Sequence, residues 1–170
     1  MIRPATKEDV PTILAIFNDN IINSTAIYMY KEQTLEERMN WFEQKQISGE
    51  PLFVFDVNGE VAGYATYGSF RAYPAYQYTV EHSVYVHKNH YKKGIASKLM
   101  HLLIEEAKAN DVKTMIGCID KENTASIKIH EKLGFTYSGT IRNAGYKFGK
   151  WLDLVLYQLD FDGPKNPQEN

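Results

Sequence analysis

The sequence has only one cysteine, Cys118, among its 170 residues. A single cysteine cannot form a disulfide framework, which excludes the small cross-linked domains typical of secreted proteins. Cys118 lies in the apolar run TMIGCI, where a small buried hydrophobic residue is the expected role and a catalytic nucleophile is the alternative. We therefore expect a protein of a reducing compartment, the cytoplasm.

Long apolar runs are also lacking, and so is an excess of charge of either sign. No stretch approaches the roughly 18 apolar residues that suggest a membrane-spanning helix, and the N-terminal residues do not resemble a secretory signal. With 19 basic and 21 acidic residues the formal net charge is -2, so no overall field draws the chain to nucleic acid or to anionic membranes. We expect neither partner, and any basic site must be local.

Two common nucleotide-binding signatures are missing. The chain contains neither G-x-x-x-x-G-K-[ST] nor G-x-G-x-x-G, which argues against a Walker loop and against a Rossmann dinucleotide turn. A chain of this length suits one domain that buries roughly 70% of its extended-chain surface, and it is too short for two comfortable ones. We predict a single domain at residues 1–161, followed by a loose polar tail at 162–170.

What the sequence does contain is a strand, a basic turn and a helix in succession between Val80 and Ala107. Residues alternate in polarity from Val80 to Val86, which is the period of a strand with unlike faces. Apolar residues then recur at helical spacing from Ile95 onward. The first N–H groups of such a helix have no internal acceptor, and the helix dipole places partial positive charge beside them.

The turn itself offers charge and space to an anion. Lys88, Lys92 and Lys93 add positive charge, and Gly94 has no Cβ to keep a phosphate away from the backbone. A polyphosphate cofactor would fit. The alternative is an ordinary strand-to-helix connection, with a glycine for a tight turn and lysines for solubility.

The remaining periodicities predict seven strands and four helices in the order βααβββαβαββ. Thr34 and Glu37 form a capping-box pattern before the second helix, and Asn58-Gly59 suits a type I′ hairpin turn. We predict strands at residues 2–5, 52–57, 60–70, 80–86, 114–119, 135–142 and 147–159. The first predicted helix starts at Thr6 and ends before the loop at 24–30, in a stretch from residue 18 that is ambiguous. The others run over 34–48, 95–107 and from a cap at Asn123 or Thr124 to residue 133.

The basic turn resembles the pyrophosphate loop of the GCN5-related N-acetyltransferases (GNAT), Q/R-x-x-G-x-G/A, which here reads Tyr91-Lys92-Lys93-Gly94-Ile95-Ala96. Tyr91 stands where the family usually has Gln or Arg, but in that family main-chain amides make most of the phosphate contacts. The resemblance extends to about Phe161. The segments STAIYMYKEQT, TVEHSVYVH, SIKIHEKLGF and GYKFGKWLDLVLYQLDF are similar to the phosphinothricin N-acetyltransferase group, especially its bacterial branch acting on methionine sulfoximine and methionine sulfone.

The resemblance implies a fold, a co-substrate and a partner. The expected fold is α/β (α+β), the GNAT fold, with a mixed central sheet of about six to seven strands flanked by about four helices. Acetyl-CoA is the expected co-substrate, no metal is expected, and a homodimer is expected because relatives usually form one. The cofactor contacts carried over from the family are Val84, Tyr85, Val86, Lys92, Lys93, Gly94, Ile95, Ala96, Ser97 and Asn123.

Acetyl transfer from a thioester to an amine makes two demands on side chains. The amine must lose a proton, since an ammonium has no lone pair, and the departing thiolate needs a proton or a hydrogen bond. Glu81 on the central strand is the candidate base, because partial desolvation would raise its basicity and because its family counterpart is regarded as the base. A solvated edge glutamate is the alternative.

His130 is the candidate donor to the sulfur. Many relatives have a tyrosine in the pattern N-x-x-A/S-x-x-x-Y-E-K-x-G-F, and this sequence has His130 at that place, as the phosphinothricin branch does. The alternatives are a structural helix histidine for His130 and a simple helix cap for Asn123. His82 alternates to the face opposite Glu81, so we expect it to support packing or the substrate loop.

The acceptor loop is FRAYPAYQY. Arg71 is the expected partner of a substrate carboxylate, because its planar fork can bind both oxygens at once. Relatives that act on phosphinothricin tend to carry two cations in this loop, and Tyr73 replaces the second one here, so we expect a less anionic amino acid. The predicted substrate contacts are Arg71, Pro74, Ala75, Tyr76, Glu81 and His82.

The sequence thus predicts an enzyme that transfers acetyl from acetyl-CoA directly, in a ternary complex, to the α-amine of a small L-amino acid. The predicted acceptors include the sulfone, sulfoximine or phosphinic analogues of such an amino acid. Acetylation of a protein N-terminus, a polyamine or an aminoglycoside is the alternative among enzymes. A non-catalytic CoA-binding sensor is the alternative among binding proteins.

Overall fold

The computed structural model describes residues 1–170 and contains seven strands and four α-helices in the predicted order. The strands are β1 (Ile2–Pro4), β2 (Leu52–Val57), β3 (Glu60–Ser69), β4 (Thr79–Val86), β5 (Thr114–Asp120), β6 (Thr136–Lys147) and β7 (Lys150–Asp160). The helices are α1 (Val10–Asn23), α2 (Leu35–Ser48), α3 (Ile95–Ala109) and α4 (Thr124–Lys132). None of these helices has the length and apolar character needed to cross a bilayer.

The seven strands form one sheet in the order β1-β2-β3-β4-β5-β7-β6. Strands β4 and β5 pair in parallel, whereas β1 with β2, β2 with β3, β5 with β7 and β6 with β7 pair antiparallel. In the parallel pair Thr79–Glu81 stand opposite Thr114–Ile116, and the ladder ends there although β4 continues to Val86. The predicted mixed sheet of an α/β fold is confirmed.

The chain divides into two compact units. The first unit comprises Met1–Tyr67 and Ser83–Leu103, and the second comprises Gly68–His82 and Ile104–Asn170. The division falls within β4 and within α3, so each of these elements contributes one part to each unit.

The core of the first unit forms where the apolar face of α1 packs on β2 and β3. Val10, Ile13 and Ile16 recur at helical spacing in α1 and are almost completely buried, as is Val54 of β2. Tyr64 of β3 is only 1% exposed and belongs to the same cluster. Within the first unit, α1 therefore covers one face of β2 and β3.

A buried cation is part of this first unit. Arg38 of α2 is 3% exposed, and its guanidinium carbon lies 3.6 Å from the ring centroid of Phe17 and 4.2 Å from that of Trp41. Burial lowers the pKa of Arg38. Its Nε has no hydrogen-bond partner, so the aromatic faces are what stabilise the charge.

Gly63 allows α3 to begin close to the sheet. A Cβ at this position would lie 3.0 Å from the carbonyl oxygen of Tyr85 and 3.2 Å from Ile95, which is tighter than ordinary contact. The start of α3, where the predicted anion turn ends, is therefore fixed against β3 by the absence of a side chain.

The sheet of the second unit is built on β5, β7 and β6. Met115 is fully buried and Ile116 and Ile119 nearly so, whereas much of the edge strand β6 is exposed. The prediction that β6 ends at residue 142 is wrong. Strand β6 continues through a register shift after Ile141, and the reversal occurs instead at Phe148-Gly149, where φ is 52° and 75°.

The physical reason for that error lies in Asn143. Asparagine is common in turns because it tolerates a left-handed φ. Asn143 does have such a φ, 54°, but it lies at an irregularity inside the strand and not at a turn. By contrast, the Asn58-Gly59 turn is confirmed, since both residues have positive φ, 54° and 87°, as a type I′ turn requires.

The C-terminal tail is irregular and has hydrogen-bond partners elsewhere in the chain, while its looseness stays a prediction. The backbone N–H of Gln168 donates to the Tyr78 hydroxyl at 2.8 Å, and its carbonyl accepts from the Gln77 side chain at 2.9 Å. Lys113 donates to the carbonyls of Phe161 and Asp162. These partners come from distant loops, which a polar composition does not reveal.

The predicted capping box of α2 is present in full. The Thr34 hydroxyl accepts from the Glu37 N–H at 3.2 Å, and the Glu37 carboxylate accepts from the Thr34 N–H at 2.7 Å. Gly49 closes the helix at a left-handed φ of 69°. Both ends of α2 are thus satisfied locally, as the sequence indicates.

Thr34→Ala is expected to reduce the free energy of unfolding by about 1 kcal/mol, because the first amides of α2 lose their acceptor. For a chain of this size that corresponds to a fall of about 2–4 °C in Tm. Thr34→Ser keeps the hydroxyl and serves as the control in urea unfolding and calorimetry. Equal stability of the Ala and Ser variants would show that the cap contributes nothing.

Candidate active site

The turn before α3 has the backbone of an anion site. A short 3-10 helix at Lys88–His90 is followed by two left-handed residues, Lys92 at φ 62° and Gly94 at φ 73°. A Cβ built on Gly94 would meet nothing within 4 Å. The backbone therefore faces open space at this point.

The first amides of α3 have no acceptor within the protein. The carbonyl of Gly94 accepts from Lys98, which makes Gly94 the cap residue, and glycine has no side chain to offer. Helices α2 and α4 instead begin at the side-chain caps of Thr34 and Asn123. N–H groups without an acceptor at a helix start, next to Lys92 and Lys93 in sequence, fit a diphosphate.

Glu81 lies on β4 at the last position of the parallel ladder, opposite Ile116. It is half-buried, and the side chain that contacts it is Cys118 of β5, two residues beyond Ile116 on the same face of the sheet. Burial, the negative charge of Glu81 and a hydrogen bond to Glu81 raise the pKa of the Cys118 thiol to about 12. At neutral pH the thiol is therefore protonated and is no nucleophile.

His82, the next residue, points to the opposite face and contacts His130 of α4. The two Nε2 atoms are 2.9 Å apart, the rings are stacked with centroids 4.9 Å apart, and both residues are buried. Nδ1 of His130 lies 2.7 Å from the backbone carbonyl of Ser126. Burial lowers the pKa of His82 to about 3, with a further contribution from His130, and burial also lowers the pKa of His130.

Gly117 makes room for this pair of histidines. A Cβ on Gly117 of β5 would lie 2.9 Å from Nε2 of His82 and 3.0 Å from Nε2 of His130. Phe135 closes the site from another side, with edge-on ring contacts at centroid distances of 5.7 Å and 5.0 Å. A side chain at 117 and the histidine pair exclude each other.

The acceptor loop brings Arg71 to Tyr76. The guanidinium carbon of Arg71 lies 5.8 Å from the Tyr76 ring centroid, and Phe70 packs edge-on against the same ring at 5.8 Å. Arg71, Pro74, Ala75 and Tyr76 are all exposed, and Arg71 forms no ion pair within the protein. Its charge is therefore open to a carboxylate.

Comparison with known proteins places this geometry in a family. Residues 2–156 match the family model described as Acetyltransferase (GNAT) domain. The chain belongs to the GNAT acetyltransferases. It is 44% identical over 162 residues to the L-methionine sulfoximine/L-methionine sulfone acetyltransferase of Pseudomonas aeruginosa, an alignment that covers 95% of this chain and 94% of the relative.

Solved structures of GNAT proteins agree with the fold. An N-acetyltransferase from Staphylococcus aureus is 58% identical with a TM-score of 0.93, covering 94% of this chain and 97% of that one. An acetyltransferase from Salmonella typhimurium, solved with its cofactor acetyl-CoA, is 40% identical with a TM-score of 0.96, covering 99% and 97%. The predictions of a GNAT fold and of an acetyltransferase are confirmed.

The predicted site residues of this GNAT domain fall into two sets. The first unit holds the cofactor residues Val84, Tyr85, Val86, Lys92, Lys93, Gly94, Ile95, Ala96 and Ser97. The second unit holds Arg71, Pro74, Ala75, Tyr76, Glu81, His82, Asn123 and His130. Strand β4 contributes to both sets, because Glu81 and His82 precede Val84–Val86 in the same strand.

Three features of the site were missed from the sequence. These are the contact of Cys118 with Glu81, the pairing of His82 with His130, and the space left by Gly117. The register of β4 against β5 is the signal that reveals them, since Glu81 opposite Ile116 places Cys118 on one face and Gly117 on the other. The helix cap named as the alternative for Asn123 is present, since its side-chain oxygen accepts from the N–H of Ser126 at the start of α4.

No group of three His, Cys, Asp or Glu side chains stands close enough together to hold a metal ion. The second unit offers a carboxylate, a histidine pair and an arginine, and the first unit offers main-chain amides.

Cys118 is expected to resist alkylation in the folded protein. With the thiol pKa at about 12, about one molecule in ten thousand carries a thiolate at pH 8, whereas an unfolded cysteine titrates near 8.5. Iodoacetamide labelling at pH 8, followed by mass spectrometry, should be at least about 100-fold slower in buffer than in 8 M urea. Rapid labelling of the native protein below pH 9 would contradict the protonated thiol.

Proposed function

We propose that this chain is an N-acetyltransferase that moves acetyl from acetyl-CoA to the α-amine of a small L-amino acid, with methionine sulfone and methionine sulfoximine as acceptors. Transfer is direct, within a ternary complex. The observation that carries the proposal is the near full-length similarity to a sulfoximine and sulfone acetyltransferase, combined with uncapped amides at the start of α3.

Acetyl-CoA is proposed to bind through its diphosphate at Lys92–Ser97. Unpaired amides of Ile95, Ala96 and Ser97 support this assignment, because they supply donors without any rearrangement. Lys92 and Lys93 add positive charge to this proposed diphosphate site. Val84–Val86, beyond the end of the parallel ladder, are proposed to line the rest of the cofactor, and Asn123 is proposed to contribute its side-chain amide N–H groups.

Glu81 is proposed as the base that takes the proton of the acceptor ammonium, directly or through a water. Its half-buried carboxylate supports this role, and so does its isolation from cations: it forms no ion pair that would neutralise it. Cys118 beside it stays protonated, so no acetyl-cysteine forms. Cys118→Ala should accordingly retain most of the activity.

His130 is proposed to serve the departing sulfur. In the structure both of its ring nitrogens already have protein partners, Ser126 and His82. Donation to a thiolate would thus require one of these bonds to be exchanged. His130 acts, on this proposal, together with His82 rather than alone.

The acceptor carboxylate is proposed to bind Arg71. Its exposed guanidinium beside Tyr76 supports this, because an arginine fork binds a carboxylate through two parallel hydrogen bonds. Pro74, Ala75 and Tyr76 would line the acceptor side chain. Tyr73 adds no second cation, which favours the neutral sulfone or sulfoximine over a phosphinic acid.

Release of free thiol from acetyl-CoA tests the whole proposal. Methionine sulfone, methionine sulfoximine and phosphinothricin should each be compared with spermidine and an aminoglycoside. Thiol release with the first two and none with the polycations is expected. Binding of acetyl-CoA without thiol release for any amine would instead identify a CoA-binding sensor.

We propose a homodimer in the cytoplasm. Tyr146, Phe148 and Trp151 are 48%, 58% and 65% exposed around the turn between β6 and β7, and such an aromatic patch is typical of an interface. The single protonated cysteine is compatible with a reducing compartment. Sedimentation equilibrium measures the association state directly.

Gly94→Val is expected to weaken acetyl-CoA binding by about tenfold or more, since a branched side chain covers the amides and resists the left-handed φ. Gly49→Val is a matched control, because Gly49 has a similar φ of 69° against 73° and equally open surroundings. Calorimetry should show a loss of affinity for the first variant only. Equal affinities in the two variants would remove the turn as the diphosphate site.

Glu81→Gln is expected to lower kcat by about 100-fold at pH 7, because the ammonium loses its proton acceptor. The affinity for acetyl-CoA should stay within about twofold of the wild type, and kcat should recover as pH approaches the pKa of the free amine. Glu60→Gln, at an exposed position, is the control. Full activity of the Glu81 variant at neutral pH would exclude this residue as the base.

A further inference from the structure

The histidine pair of the second unit has an unusual balance of donors and acceptors. The contact between Nε2 of His82 and Nε2 of His130, at 2.9 Å, needs one proton between two nitrogens. The contact between Nδ1 of His130 and the Ser126 carbonyl, at 2.7 Å, needs a second proton on nitrogen. The positions of these two protons therefore determine the tautomer of each histidine.

The Ser126 hydroxyl lies 3.5 Å from Nδ1 of His130, at the limit of hydrogen bonding, whereas the Ser126 carbonyl lies at 2.7 Å. The carbonyl is the closer partner and can only accept, so Nδ1 of His130 carries a proton. A neutral His130 then has a bare lone pair on Nε2 and can only accept there. The proton in the contact between the two rings must come from Nε2 of His82. Nδ1 of a neutral His82 is consequently an acceptor, and this atom is buried with no hydrogen-bond partner.

Nothing around the pair supplies a charge that would favour an imidazolium. The two rings contact each other, the Ser126 carbonyl, the Ser126 hydroxyl at 3.5 Å and the Phe135 ring, and they lie beside Gly117. No carboxylate or lysine is among them. Burial in these surroundings lowers the pKa of both histidines, which agrees with two neutral rings.

We infer that His82 is a positioning residue for the transfer reaction: by donating from Nε2 it holds His130 neutral, in a single tautomer and a single ring orientation. The pair then leaves one buried acceptor, Nδ1 of His82, without a hydrogen-bond partner. This inference rests on the proposed function for its catalytic meaning, but the hydrogen-bond pattern itself does not depend on that function.

A hydrogen bond from His82 affects the protonation of His130, whereas packing against a ring without a donor would not. When the His82 donor is removed, Nε2 of His130 becomes a free lone pair and can take up a proton. His82→Phe keeps an aromatic ring to stack on His130 and removes the donor. His82→Gln loses the ring but keeps an N–H group that can reach toward His130.

The test is side-chain NMR of 15N-histidine-labelled protein, with His130 assigned from a His130→Asn variant. In the wild type, His130 should carry its proton on Nδ1 and His82 on Nε2, and both should have a pKa below that of an ordinary histidine. In His82→Phe the pKa of His130 should rise by at least about one unit, and in His82→Gln it should stay close to the wild-type value. Thermal unfolding confirms that each variant is folded.

Kinetics with methionine sulfone supply the catalytic readout. His82→Phe should lower kcat by about tenfold or more with little change in KM for acetyl-CoA, and His82→Gln should recover most of the loss. Gly117→Ala keeps both histidine residues, but its added methyl group would force their rings apart. This variant should show the same rise in the His130 pKa and the same loss of kcat as His82→Phe. Agreement between these two different disruptions would support the pair rather than either ring alone.

Several results would overturn the inference. Finding the His130 proton on Nε2, or an unchanged His130 titration in His82→Phe, would exclude the assigned hydrogen bond. A raised His130 pKa in His82→Phe, together with a kcat equal to that of the wild type, would exclude the positioning role. If the wild type releases no thiol with any amine, the proposed function fails while the NMR result still decides the pairing.

Discussion

The site depends on the two-sidedness of strand β4. Successive residues of a strand point to opposite faces, so Glu81 and His82 are adjacent in sequence but serve different surroundings. Glu81 contacts Cys118, whereas His82 contacts His130. The parallel register with β5 fixes both contacts at once, and a slip of one residue would exchange them.

Two kinds of polar environment follow from this arrangement. On one face a half-buried carboxylate stays beside a thiol that burial and charge keep protonated. On the other, two imidazoles are removed from water and from charge, and the Nε2 atoms of the two rings are each other's hydrogen-bond partners. The anion turn before α3 differs from both, because its donors are main-chain amides left open by a glycine cap.

Local signals in the sequence account for much of this structure. The capping box at Thr34, the Asn58-Gly59 turn and the change of period before Ile95 are each decided by a few neighbouring residues, and all three were predicted. The turn at Phe148-Gly149 was not, because Asn143 offers an equally good local signal and only pairing with β7 decides between them. The anchoring of Gln168 likewise depends on residues about ninety positions away.

The same distinction applies within the site. Glu81, Arg71, Gly94 and His130 stand out by motif and residue type, so a family resemblance suffices to nominate them. The partnership of His82 with His130 has no sequence signature, because 48 residues separate them and a third element provides the space. Residue type could identify candidates, but only the strand register could show which of them touch.

Gly117 carries a consequence for how this chain can diverge. Any larger residue at 117 intrudes on the space of two imidazoles, and replacing either imidazole with a smaller group leaves a void that a methyl could fill. Positions 82, 117 and 130 are therefore constrained as a trio, and homologues that abandon one of these identities are expected to have changed the others. A single glycine thus limits which side chains can occupy positions 82 and 130 in this enzyme.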